Sequence, residues 1–146
     1  MIKLLSFSLA MLAATFAGKL FAQELPGTDI WVTRITNGVP TEPVKINTGS
    51  GYNNQPHFSK DGSIIYYTRE MPGDEAAQTD IAAFNIKTSI TTMVNNTSES
   101  EYSPTPIPGR NALSVIQVEA DQKQRLWAID VATGHMDVLL ACVAPV

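Results

Sequence analysis

Three stretches of this chain repeat one pattern: Asp29 to Gly38, Asp80 to Ser89 and Arg125 to Gly134. Aligned without gaps, Ile30, Ile81 and Leu126 coincide, as do Ile35, Ile86 and Val131. Each copy closes on a turn pair: Asn37-Gly38, Thr88-Ser89 or Thr133-Gly134. The copies begin 51 and then 45 residues apart. A second motif lies between them, Gln55-Pro56-His57-Phe58-Ser59-Lys60-Asp61-Gly62, with a weaker echo, Ser103-Pro104-Thr105-Pro106, 48 residues on. A period of this length marks stacked supersecondary units rather than one unique core.

Each unit reads as four short strands. In the middle unit, Pro56 to Phe58 is the first, and Ser59 to Gly62 is a turn whose glycine reaches positive φ without steric cost. Ile64 to Thr68 is β-branched and aromatic throughout, as a strand packed on both faces must be. The polar segment Glu70 to Thr79 contains Pro72-Gly73 and cannot continue a strand. Asp80 to Ile86 and Ile90 to Val94 complete the unit, and the next repeats the order with Pro104 to Ile107, Ala112 to Val118, Leu126 to Val131 and Met136 to Ala141. The first unit is half present, Ile30 to Ile35 and then Val44 to Ile46. Trp31, Ala82 and Trp127 share one register position, and Thr33, Phe84 and Ile129 the next on that face. This alternation of large and small suits interdigitating sheets. The expected fold is all-β, a β-propeller of four-stranded antiparallel blades, incomplete at about two and a half blades. Half-blade 25–48, blade 52–95 and blade 100–142 are its parts, and a β-sandwich is the alternative.

Lys3, the uncharged apolar run Leu4 to Ala17, and Leu20-Phe21-Ala22 form the three-part layout of a secretory signal peptide, so segment 1–22 is expected to be removed on export. Lys19 closes the run too soon for a membrane span of roughly 20 residues. Loss of Lys3 and Lys19 takes the net charge from −4 to −6 over 124 remaining residues, which argues against nucleic acid. Cys142, the single cysteine, forms no internal disulfide and reads as a small buried apolar residue.

Gln55 through Tyr67 resembles the repeat of the TolB-like, WD-repeat-like propellers, whose motif runs Pro-x-Phe/Trp-Ser-Pro-Asp-Gly, then apolar residues and Tyr. Lys60 replaces the second proline of that motif. Asp29-Ile30-Trp31-Val32 and Arg125-Leu126-Trp127-Ala128 look like the family's Asp-Ile-Tyr-Val strand. The second copy departs further, with Pro106 in the aromatic's place and Pro108-Gly109-Arg110 in place of the turn. The resemblance covers about residues 25–142. It implies an exported or periplasmic propeller, since the family's namesake serves the Tol-Pal envelope system by binding other proteins. Other relatives are propeller domains of prolyl-oligopeptidase-like hydrolases, and that is the alternative reading. A sugar- or calcium-binding propeller is a third. Four blades of roughly 40–45 residues need about 160–180, so the expectation is a truncated propeller, or copies that self-associate into a ring.

No catalytic, cofactor or metal cluster is expected. Gly49-Ser50-Gly51 lacks the nucleophile-elbow spacing, His57 reads as a packing or channel-lining side chain, and His135 lies in a turn. Asp74-Glu75 and Glu99-Ser100-Glu101 read as solvated loop carboxylates without a calcium-loop pattern. In a propeller the long connections share one face, and here they carry −4 against +1 for the tight turns opposite. Tyr52, Asn53, Asn54, Gln55, His57, Glu99, Glu101 and Tyr102 are the candidate binding residues around that acidic face. Tyrosine with asparagine suits adaptable recognition. The expected partner is a protein or a basic, amide-rich peptide.

Overall fold

The computed structural model describes residues 25–73 and 78–140, so segment 1–22, expected to be a signal peptide, lies outside it, as do Asp74-Glu75 and Cys142. Twelve strands and no helix make up these residues. No helix among them is long and apolar enough to cross a membrane. The first complete sheet runs β5 (Asn53–Phe58), β6 (Ile64–Glu70), β7 (Thr79–Asn85) and β8 (Ile90–Met93), in that spatial order and all antiparallel. The second repeats it with β9 (Ser100–Pro106), β10 (Ala112–Val118), β11 (Gln124–Asp130) and β12 (Met136–Leu140). Ahead of them a half-blade pairs β1 (Trp31–Val32) with β4 (Val44–Lys45) and β2 (Ile35–Thr36) with β3 (Val39–Pro40). The architecture is an open β-propeller, as the repeat period requires.

Period-two alternation in β6 and β7 explains why the sheets stack. Ile65 stands opposite Phe84 and Tyr67 opposite Ala82, and these four pack against Ile30 and Ile46 of the half-blade. On the other face Tyr66 stands opposite Ala83, and with Ile81 they pack against Leu113, Val115 and Ile129 of the second blade. The middle sheet is therefore apolar on both sides, and a one-residue slip of β6 would exchange its two sets of contacts. Trp31, Ala82 and Trp127 follow the expected register. Ala82 is buried and Trp127 packs against the second cluster, whereas Trp31 is 59% exposed on the outward side of the half-blade.

Turn chemistry is local. Asp61 Oδ1 accepts from Ser59 Oγ at 2.7 Å and from Ser63 N and Oγ at 3.1 and 2.8 Å, while Gly62 takes φ +71°. Asn85 and Asp130 cap their hairpins in the same way, each Oδ1 receiving two backbone N–H groups.

Two strand expectations need correction. The continuous strand Ile30 to Ile35 is broken, because Thr33 Oγ1 donates to Thr41 O and Arg34 N donates to Thr41 Oγ1, replacing ladder bonds. The inner strands also begin earlier than their Pro motifs, at Asn53 and Ser100. Their polar residues hide the strand from pattern reading, yet backbone pairing with β6 and β10 does not depend on side-chain polarity.

Ile81 is fully buried between two blades and Ile90 is 58% exposed. Ile81→Ala should destabilise the chain by about 2–5 kcal/mol, and Ile90→Ala by no more than about 0.5 kcal/mol. Urea unfolding midpoints measure both.

Candidate functional site

Asn53 and Gln55 on β5, with Glu101 on β9, are drawn into the seams between blades. Asn53 is 2% exposed, its N–H donating to Thr28 Oγ1 at 3.0 Å and its amide to Thr28 O at 3.2 Å. Gln55 Oε1 accepts from Thr68 Oγ1 and from Ser103 N, both at 2.9 Å, tying the two complete blades together. Gln55 (φ +53°) and Ser103 (φ +58°) each form a bulge in the inner strand, where the ladder register shifts. Glu101 corrects the solvated-loop reading. It is fully buried within β9, where three donors, Asn95 and Thr97 from the loop before the strand and Gln117 from β10, surround its carboxylate.

The remaining candidates keep some access to solvent. Tyr52 is half-buried and its N–H donates to Glu70 Oε2 at 2.6 Å. Asn54 Oδ1 accepts from Gln55 N at 2.7 Å. Glu99 is half-buried, its Oε2 accepting from Ser98 Oγ, and its backbone carbonyl receives the Gln78 amide. Tyr102 is half-buried, and desolvation raises its phenol above the usual range. His57 is exposed, with Nδ1 3.1 Å from Phe58 O, so it packs into no core. His135 is also exposed, 3.4 Å from Asp137 with both side chains 71% accessible.

A broad concavity lies on the opposite, tight-turn face. A groove of about 840 Å³ runs between the β5–β6 turn and the β9–β10 turn. Ile64, Tyr66, Ile107, Leu113 and Val131 supply its apolar floor, and Lys60 and Arg110 stand at its rim. Its size falls in the range of ligand clefts. Hydrogen bonds from Ser59 and then Ser63 hold the Asp61 carboxyl down to about 2, so it stays ionised and committed to its own turn. Neither Lys60 nor Arg110 makes an ion pair among the described residues. Both cations stand where the second motif departs from the family pattern, and that departure was the available signal. Among the described residues, no group of three or more His, Cys, Asp or Glu is placed to hold a metal.

The solved structure of a putative TolB from Agrobacterium tumefaciens superposes with a TM-score of 0.59 at 18% identity, covering 82% of this chain and 51% of that one. The fold is that of a TolB-type propeller. This chain spans about half the length of that structure. No family model matches the chain, and no curated protein matches it.

Removing the Gln55 amide would leave the Ser103 N–H and the Thr68 hydroxyl without that acceptor. Gln55→Ala should lower stability by about 1–3 kcal/mol, read from urea denaturation. A change below about 0.5 kcal/mol would show that water replaces the contact.

Proposed function

We propose that this chain is an exported, non-catalytic binding scaffold of the cell envelope, and that a protein or peptide segment docks in the groove between its two complete blades. The observation that carries this reading is an apolar floor with two cations at its rim, Lys60 and Arg110, neither in an ion pair among the described residues. Apolar residues of a partner would gain by leaving water, and a carboxylate beside them would meet the Arg110 guanidinium in a geometry suited to bidentate pairing. The acidic face has less to offer a partner, since Asn53 and Glu101 are buried and Gln55 Oε1 is engaged by Thr68 and Ser103. Likeness to a TolB-type fold agrees with a scaffold role. The apolar run from Leu4 to Ala17 supports export.

A photo-crosslinking side chain placed at Ile107 should capture a protein partner from envelope extract, and Lys60→Glu with Arg110→Glu should abolish the capture. The same probe at Asn96, on the long-loop face, should capture less. Stronger crosslinking from Asn96, unchanged by the charge reversals, would move the site to the acidic face.

A further inference from the structure

The two seams between blades are closed by the same polar residues, with one exchange. In the first, Asn47 Oδ1 accepts from Ile30 N at 2.8 Å, and its amide donates to Asp29 Oδ1 at 2.9 Å. In the second, Asn95 Oδ1 accepts from Ile81 N at 2.9 Å, and its amide donates to Glu101 Oε2 at 2.7 Å. Thr28 Oγ1 donates to Asn53 O at 2.8 Å, and Thr79 Oγ1 donates to Glu101 O at 2.9 Å. Glu101 thus takes the place of the neutral Asn53, beside Asp80, the counterpart of Asp29. Asp29 forms an ion pair with Lys45 at 2.7 Å. Asp80 has no ion pair among the described residues.

Asp80 and Glu101 are both 0% exposed and meet on one residue, Thr97, whose N–H donates to Asp80 Oδ1 at 3.2 Å and whose hydroxyl donates to Glu101 Oε1 at 2.7 Å. Glu101 accepts three hydrogen bonds, Oε1 receiving Thr97 Oγ1 and Gln117 Nε2 at 2.7 Å and Oε2 receiving Asn95 Nδ2, which leaves Oε2 one acceptor position. Asp80 Oδ1 accepts from Thr97 N at 3.2 Å, and Asp80 Oδ2 is buried with no partner. Two adjoining buried carboxylates cannot both be ionised without a large electrostatic cost. A proton on Asp80 Oδ2, directed at Glu101, satisfies the orphaned atom and removes one charge.

The other charged groups nearby make no ion pair to Asp80 or Glu101 that the described residues show. Arg69 on β6 stands opposite Asp80 across the ladder without an ion pair to it among the described residues. Arg125 on β11, opposite Gln117, pairs with Glu119 and Asp121. Glu70 at the end of β6 accepts from Tyr52 N, and Glu99 accepts from Ser98.

We propose that Asp80 and Glu101 hold a single proton between them, and that this proton makes the seam between the two complete blades a pH-sensitive latch. Burial pushes both carboxyls up; at Glu101 the hydrogen bonds from Thr97 and Gln117 oppose it and neighbouring Asp80 adds to it, leaving that carboxyl at about 7. The proton belongs to the pair rather than to either residue. Because the folded value lies above the unfolded one, the contribution is complete below about pH 4 and is lost as pH rises through about 7. The seam is tightest in mild acid.

Thermal unfolding of the whole chain from pH 5 to pH 8, with carboxyl ¹³C titration of wild type, tests this. The wild-type melting temperature should fall by about 5 °C or more across the range, and one carboxyl of the pair should titrate near 7. Asp80→Asn places an amide N–H where the proton would sit, so it should match wild type at pH 5 and lose most of the decline. Glu101→Gln should also flatten the profile, at lower stability throughout. An Asp80→Asn profile parallel to wild type, or Asp80 and Glu101 both titrating below pH 5, would overturn the proposal. If the variants do not fold, the wild-type titration alone decides.

Discussion

The β6–β7 ladder, buried on both faces, is the constraint on which the rest of the structure depends. A sheet with one apolar side closes against a single neighbour, but Ile65 and Tyr67 on one side and Tyr66 and Ile81 on the other demand two. That demand turns a repeated sequence into stacked blades, and every seam, turn and groove takes its position from it. The outer sheets carry the same requirement. Trp31 on the half-blade and Leu140 on β12 remain 59% and 63% exposed, each on a sheet with only one described neighbour.

Apolar contact brings the blades together, and polar side chains set their relative position. The Asn47 and Asn95 carboxamides each accept a backbone N–H at the head of the third strand and donate onward to a carboxylate. Gln55 reaches from a bulge in one inner strand to the corresponding bulge in the next. Buried polar groups with full hydrogen bonding select one arrangement among many that apolar packing would tolerate. The Glu101 carboxylate stands where the first seam has the neutral Asn53, so the second seam buries two carboxyls, Asp80 and Glu101.

Departures from the repeat concentrate on the tight-turn face as well. Lys60 and Pro108-Gly109-Arg110 replace residues that would have made two equivalent turns, and together they edge the groove between the two complete blades. A repeat protein can vary such turns freely because the ladder beneath them is held by backbone hydrogen bonds and by the two-faced core. A partner surface can therefore arise there without cost to the fold.

The order of amino acids alone determined the all-β class, the repeat period, the two-faced third strands and the tight turns. Each of these is a local matter of side-chain alternation, β-branching and glycine or asparagine at positive φ. It also marked Lys60 and Arg110 as exceptions to the motif. Only the tertiary structure decided which polar residues are inside. Asn53, Gln55 and Glu101 have the composition of a solvated loop, and nothing nearby in the chain reveals that Thr28, Ser103, Asn95 and Gln117 will meet them. Those partners lie on neighbouring strands or blades, so burial of a charge there is a property of the assembled seam and not of any segment read by itself.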